Sequence, residues 1–120
     1  MPHYANGIEA HVGDYVTGHT YNTPGLVAGT IVSITPGTTS CNAQVEFLCA
    51  LPYFATEAEG KSEIPRMAAH DEAGNLVPPR VQKSQAHGSV GPLIAVYLCR
   101  DYCAVNELTK ISSADPSRVD

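Results

Sequence analysis

The sequence predicts a mainly β chain: a small antiparallel barrel of about five strands with a long inserted loop or hairpin arm. Three observations predict it. In residues 41–49, Cys41, Ala43, Val45, Phe47 and Cys49 alternate with Asn42, Gln44 and Glu46, giving a strand with one buried and one wet face. Residues 26–34 are rich in β-branched side chains, and Pro36-Gly37 between the two segments suits a type II turn, so the pair reads as a hairpin. Nine Pro and ten Gly in 120 residues favour turns and strands over helices.

The elements follow in order. Residues 11–18 read as a first strand, led in by the Gly13-Asp14 turn. Residues 19–25 form a loop, because Asn22-Thr23-Pro24-Gly25 is strong turn chemistry. Gly29 within the second strand marks a bulge or a sharp bend. Residues 51–91 change character, with Pro65, Pro78 and Pro79 and nine of the nineteen charged residues. Gly60 and Pro65 interrupt any helix over residues 55–64. Residues 66–70 and 76–82 flank Asp71-Glu72-Ala73-Gly74-Asn75 and suit a small extra hairpin. The apolar run of residues 93–99 predicts a central strand buried on both sides. Residues 104–108 carry apolar side chains at turn spacing, a short strand follows to Ile111, and residues 112–120 read as a polar tail. The whole is expected to be one domain, with its barrel at 11–50 and 92–112 and the insertion at 51–91.

Charge narrows the function classes. Residues 1–60 hold Glu9, Asp14, Glu46, Glu57 and Glu59 and no Lys or Arg, whereas the remainder has seven acids and seven bases. All of the net charge of −5 therefore lies in the first half, where it would repel a phosphate backbone. Nucleic-acid binding is disfavoured unless Lys61, Arg66, Arg80, Lys83 and Arg100 share a face. The N-terminal residues have neither the basic nor the apolar region of a secretion signal, and no apolar run approaches the ~20 residues that span a bilayer. The expectation is a soluble, cytoplasmic protein with four buried thiols in place of a disulfide framework.

The strand order, with Gly13-Asp14-Tyr15-Val16, Gly29-Thr30-Ile31-Val32-Ser33-Ile34 and the closing residues 104–111, resembles the SH3-like barrels. The resemblance covers roughly half of the chain and rests on pattern, not on a diagnostic motif. It implies ligand binding by the loops at one barrel end or by an aromatic groove. One enzyme family on that fold, the type II dihydrofolate reductases, is similar in the Gly-Asp-x-Val opening and in the closing segment. Its Val-Gln-Ile-Tyr motif corresponds here to Ile94-Ala95-Val96-Tyr97. Ala95 stands where that family has its glutamine, so the reductase activity is not implied.

Reactive constellations are sparse. Cys41 and Cys49 share a strand face about 26 Å apart at strand rise, too far to bridge or to share a metal. Cys99 and Cys103 converge only if the segment between them turns, and a zinc site would then also need Cys41 or one of His3, His11, His19, His70 and His87. Without Cys-x-x-Cys or paired His, small buried thiols are the simpler reading and no metal is expected. Cys103 is the best-placed nucleophile, but the neighbouring Asp101 raises a thiol pKa, so no catalytic residue is assigned. Gly88-Ser89-Val90-Gly91-Pro92 lacks the Lys of a phosphate loop and reads as a linker.

The aromatic residues carry more. Tyr15, Tyr21 and Asn22 on the first strand and its loop, Tyr53 at the start of the insertion, and Tyr102 near the last turn are the candidate ligand-binding residues. The competing reading is that Tyr15 and Phe54 plug the barrel ends. The sequence thus favours a non-enzymatic binding or assembly module without a cofactor, its protein or small-molecule partner unidentified and homo-oligomerisation open. The alternative is a small oligomeric enzyme with a site formed between protomers.

Overall fold

A computed structural model describes residues 2–37, 41–86 and 89–113. The protein is mainly β, with six antiparallel strands in one sheet. These are β1 (Tyr15–His19), β2 (Leu26–Thr35), β3 (Asn42–Pro52), β4 (Arg80–Ala86), β5 (Ser89–Ala104) and β6 (Leu108–Ser112). A single 3-10 turn, Val105–Glu107, joins the last two. The strand order is β4-β5-β3-β2-β1-β6, an open order with β4 and β6 at its ends. The chain divides into two compact units, Met1–Phe47 with Arg100–Asp120, and Leu48–Cys99.

In the first unit the predicted hairpin is present, with Thr35 opposite Asn42 and Gly29 opposite Phe47. The expected turn at Pro36-Gly37 extends into residues 38–40, which lie outside the described residues. Ala43, Val45 and Phe47 are buried as the alternation requires, together with Val16 and Ile31. The register shifts between Ile31 and Ser33, so β2 does carry a bulge, just beyond Gly29. At Gly29 itself a Cβ would fall on the Glu46 carbonyl oxygen of β3. The glycine is there because two backbones meet closely.

The first strand begins later than expected, at Tyr15 and not at residue 11. Asp14 N–H donates to the His11 carbonyl (3.1 Å) and Gly13 has φ +96°, so residues 11–14 are a turn and not extended chain. The Asp14 carboxylate, fully buried, holds that turn from inside. Its Oδ2 accepts hydrogen bonds from His11 N–H (3.0 Å) and from the Tyr4 hydroxyl (2.7 Å). Tyr4 and Ala10 are thereby drawn into the core, an ordered N-terminal segment that hydrophobic pattern alone does not reveal.

The closing turn and strand lie where the apolar spacing places them. Val105 and Leu108 are buried, and β6 pairs with β1 through Gly18–Leu108 and Val16–Lys110.

In the second unit, β4 pairs with β5 from Arg80 opposite Val96 to Ala86 opposite Ser89. Beyond β4, the edge of β5 is taken up by Ala68 and Ala69, with Ala69 N–H donating to the Leu98 carbonyl (2.8 Å). The expected extra hairpin is reduced to one bridge, His70 with Leu76. Asp71 closes it by accepting from the N–H groups of Ala73 and Asn75. Residues 80–82 leave this turn because β5 offers them a longer ladder, which makes a sixth strand. No helix forms over residues 55–64.

The expectation that residues 93–99 are buried on both faces is corrected. Ala95, Tyr97 and Cys99 are buried, whereas Ile94, Val96 and Leu98 are only half-buried. The run is one stretch of a longer strand that alternates from Ala95 to Cys103. The thiols also differ from expectation: Cys99 and Cys103 are buried, but Cys41 and Cys49 are half-buried. No helix among the described residues is long and apolar enough to cross a membrane.

Candidate functional site

The site grows from one residue on β5. Ala95, Tyr97, Cys99, Asp101 and Cys103 share strand parity, so Asp101 is carried inward with an otherwise apolar row. A carboxylate with no exposed surface requires hydrogen-bond donors, and the loop after β1 supplies them. Asp101 Oδ2 accepts from Asn22 N–H (2.9 Å) and from the Thr23 hydroxyl (2.8 Å). Its Oδ1 accepts from the Asn22 side-chain amide (3.0 Å) and from Tyr102 N–H (2.8 Å). Burial pushes the Asp101 pKa up, but donors from the 20–23 loop outweigh it and hold the carboxyl below its ordinary value of 3.8. Thr20 favours the anion electrostatically, yet its buried hydroxyl meets no partner at hydrogen-bonding geometry, so Asn22 and Thr23 carry the stabilisation.

This clamp fixes two tyrosines. Tyr21 N–H donates to the Tyr102 carbonyl (2.9 Å), and the Tyr21 hydroxyl donates to Asn42 Oδ1 (2.9 Å). Tyr21 is 59% and Tyr102 49% exposed, so both rings are held from the backbone and remain open to solvent. Beside them Arg100 Nε pairs with Glu46 Oε2 at 2.9 Å. Val105 N–H bonds the Cys41 carbonyl, and with the Arg100–Glu46 pair this sets the antiparallel register of β3 and β5 here. That register places Gln44 opposite Tyr102. The surface is therefore aromatic and amide-bearing, and the charges of Arg100 and Glu46 compensate each other.

Of the five candidate ligand-binding residues, the structure brings Tyr21, Asn22 and Tyr102 together. Asn22 serves the clamp, since its side-chain amide is engaged by Asp101. Tyr15 stands at the opposite end of β1 from the loop, paired with Thr30 and Ser112. Tyr53 belongs to the second unit, half-buried, with its N–H on the Leu93 carbonyl (3.0 Å). Neither Tyr15 (46%) nor Phe54 (38%) is buried as an end plug would be. Asp101, Asn42 and the Arg100–Glu46 pair are additions that the sequence reading missed. The inward parity of position 101 with Tyr97, Cys99 and Cys103 was the available signal for the first.

Reactive chemistry finds little support elsewhere. Burial, then the Asp101 and Glu107 carboxylates, push the Cys103 thiol up to about 11, which makes it a poor nucleophile at neutral pH. The segment from Cys99 to Cys103 is strand throughout and not the turn that a shared site would need. Among the described residues, no three His, Cys, Asp or Glu side chains are grouped to hold a metal ion. An open depression of about 480 Å³ in the second unit is lined by Lys61, Ser62, Glu63 and Ile64.

Comparison of the chain with protein-family models, with curated proteins and with solved structures returns no match.

Proposed function

We propose that the protein is a non-enzymatic binding module on an SH3-like sheet, and that the Tyr21–Tyr102 surface of its first unit receives a flat, uncharged, polar small molecule. The observation that carries this reading is the clamp. A buried carboxylate accepts three hydrogen bonds from the 20–23 loop and a fourth from Tyr102 N–H, while Tyr21 and Tyr102 are left half exposed. Preorganised rings lose little freedom when a planar ligand stacks on them. Asn42 and Gln44 provide amides at the rim, and Glu46 and Arg100 neutralise each other there. The SH3-like reading is supported by the strand order: without β4 it runs β6-β1-β2-β3-β5, the meander of such a barrel with its last strand returned beside the first.

Thermal-shift screening with uncharged heteroaromatic amides, followed by titration calorimetry on any hit, tests the proposal. Tyr102→Ala and Tyr21→Ala are each expected to weaken binding by about tenfold, the loss of roughly one stacking contact. A hit whose affinity neither substitution changes would place the ligand elsewhere and end this reading.

A second reading, assembly between copies, is favoured by the end strand β6, which presents Ile111 at 61% exposure in the same unit as an exposed Leu26 (68%). Light scattering decides it: a mass above one chain that Ile111→Lys returns to one chain supports assembly, and a single-chain mass for the unmodified protein removes it.

A further inference from the structure

The second unit begins at Leu48 and ends at Cys99, so Cys49 and Cys99 stand where the chain enters it and where it leaves. Tyr53 N–H on the Leu93 carbonyl sets β3 and β5 antiparallel in this unit. Counting back along both strands puts Cys49 opposite Tyr97, with Cys99 two residues further along β5 on the same face. The two thiols are thus diagonal neighbours on adjacent strands. They also feel each other: after burial, Cys49 is the group that raises the Cys99 thiol, to about 11. Both are free thiols, Cys49 half-buried and Cys99 buried.

We propose that Cys49 and Cys99 form a reversible disulfide when the protein meets a peroxide, fastening the two ends of the second unit. The exposures assign the order of events. Cys49, reachable from solvent, attacks a peroxide oxygen: an S–O bond forms, the O–O bond breaks, and the departing hydroxide is protonated to water. The Cys99 sulfur, a weak nucleophile at its raised pKa but held beside its target, then attacks the Cys49 sulfenic sulfur, forming the S–S bond as the S–O bond breaks. The second hydroxide leaves with the Cys99 proton as water. Two thiols are oxidised and one peroxide is reduced to two waters, so no other reactant is needed. Diagonal strand neighbours lie about 7 Å apart, the upper limit of disulfide reach. Closing the bond therefore needs a small slide of β3 along β5, and a bond closed under such strain is readily reduced again. The second unit would then alternate between an open and a stapled form according to the oxidant present.

The test uses the full chain treated with hydrogen peroxide, unfolded and alkylated, then cleaved at Lys, Arg and Glu. The expected result is a protein with two fewer alkylated thiols and a linked pair of peptides, residues 47–57 with residues 84–100. The link should vanish under dithiothreitol, persist in Cys41→Ser and Cys103→Ser, and be absent from Cys49→Ser. Limited proteolysis across residues 54–80 should slow in the oxidised form. Four alkylated thiols after treatment, a link that uses Cys41 or Cys103, or a sulfinic acid at Cys49 without a link would each overturn the proposal. The map of the unsubstituted protein is decisive even if a serine variant folds poorly.

Discussion

Replacing Asp101 with Ala is expected to destabilise the protein by about 3 kcal/mol, the range seen when one partner of a buried, charged hydrogen-bond set is removed. Four donors lose their acceptor at once: two N–H groups, an amide and a hydroxyl. Residues 20–23 then keep the Tyr21 N–H bond to Tyr102 as their hydrogen bond to β5 among the described residues. Urea unfolding should report the loss as a lower midpoint, and amide exchange at Asn22 and Tyr102 should accelerate. Asp101→Asn should recover part of the loss, because one oxygen still accepts while the new amide faces donors.

The same group makes stability depend on pH. Its folded pKa lies below the unfolded value, so its contribution is fully present above about pH 4 and is lost as pH falls through the folded pKa. Unfolding free energy followed from pH 5 downward should decline less steeply in Asp101→Asn than in the unsubstituted protein. Equal slopes would mean that Asp101 titrates alike in both states.

Gly29→Ala is the second large effect, expected to cost about 2 kcal/mol or more. The added methyl meets the Glu46 carbonyl, and neither partner can rotate away, since both belong to paired backbone. β2 and β3 would have to separate at the centre of the hairpin. That strain should lower the thermal midpoint by several degrees, at about 4 °C per kcal/mol for a domain of this size. An unchanged midpoint would show that the two strands are not in this register.

Part of the fold is legible in the sequence because burial has a period. Ala43, Val45 and Phe47 alternate with polar residues, and this alone identifies a strand and its inner face. Val105 and Leu108 announce the closing turn in the same way. β4 is not legible, because Arg80, Val81, Gln82 and Lys83 are all exposed or half-exposed and leave no apolar alternation to read. β5 misleads in the opposite sense. Its outward Ile94, Val96 and Leu98 are apolar but only half-buried, so a one-sided strand looks two-sided.

The candidate site divides similarly. Turn chemistry marks the 20–25 loop, and Tyr21 and Tyr102 stand out as aromatics near predicted turns. Asp101 escapes notice because charge at a strand end is ordinarily solvated, whereas this strand continues to Ala104 and turns the carboxylate inward. Asp14 escapes for a related reason. Its partner Tyr4 comes from a stretch with no periodicity, held by the carboxylate and by a small antiparallel bridge between His3 and Glu9.

The binding surface is most directly tested by amide chemical-shift mapping of the labelled protein titrated with the tightest compound from the thermal screen. The largest shifts are expected on Tyr21, Asn22, Asn42, Gln44 and Tyr102, and Asp101→Ala is expected to abolish them by releasing the loop. Shifts confined to residues 61–64, or unchanged by loss of the clamp, would contradict that placement of the surface.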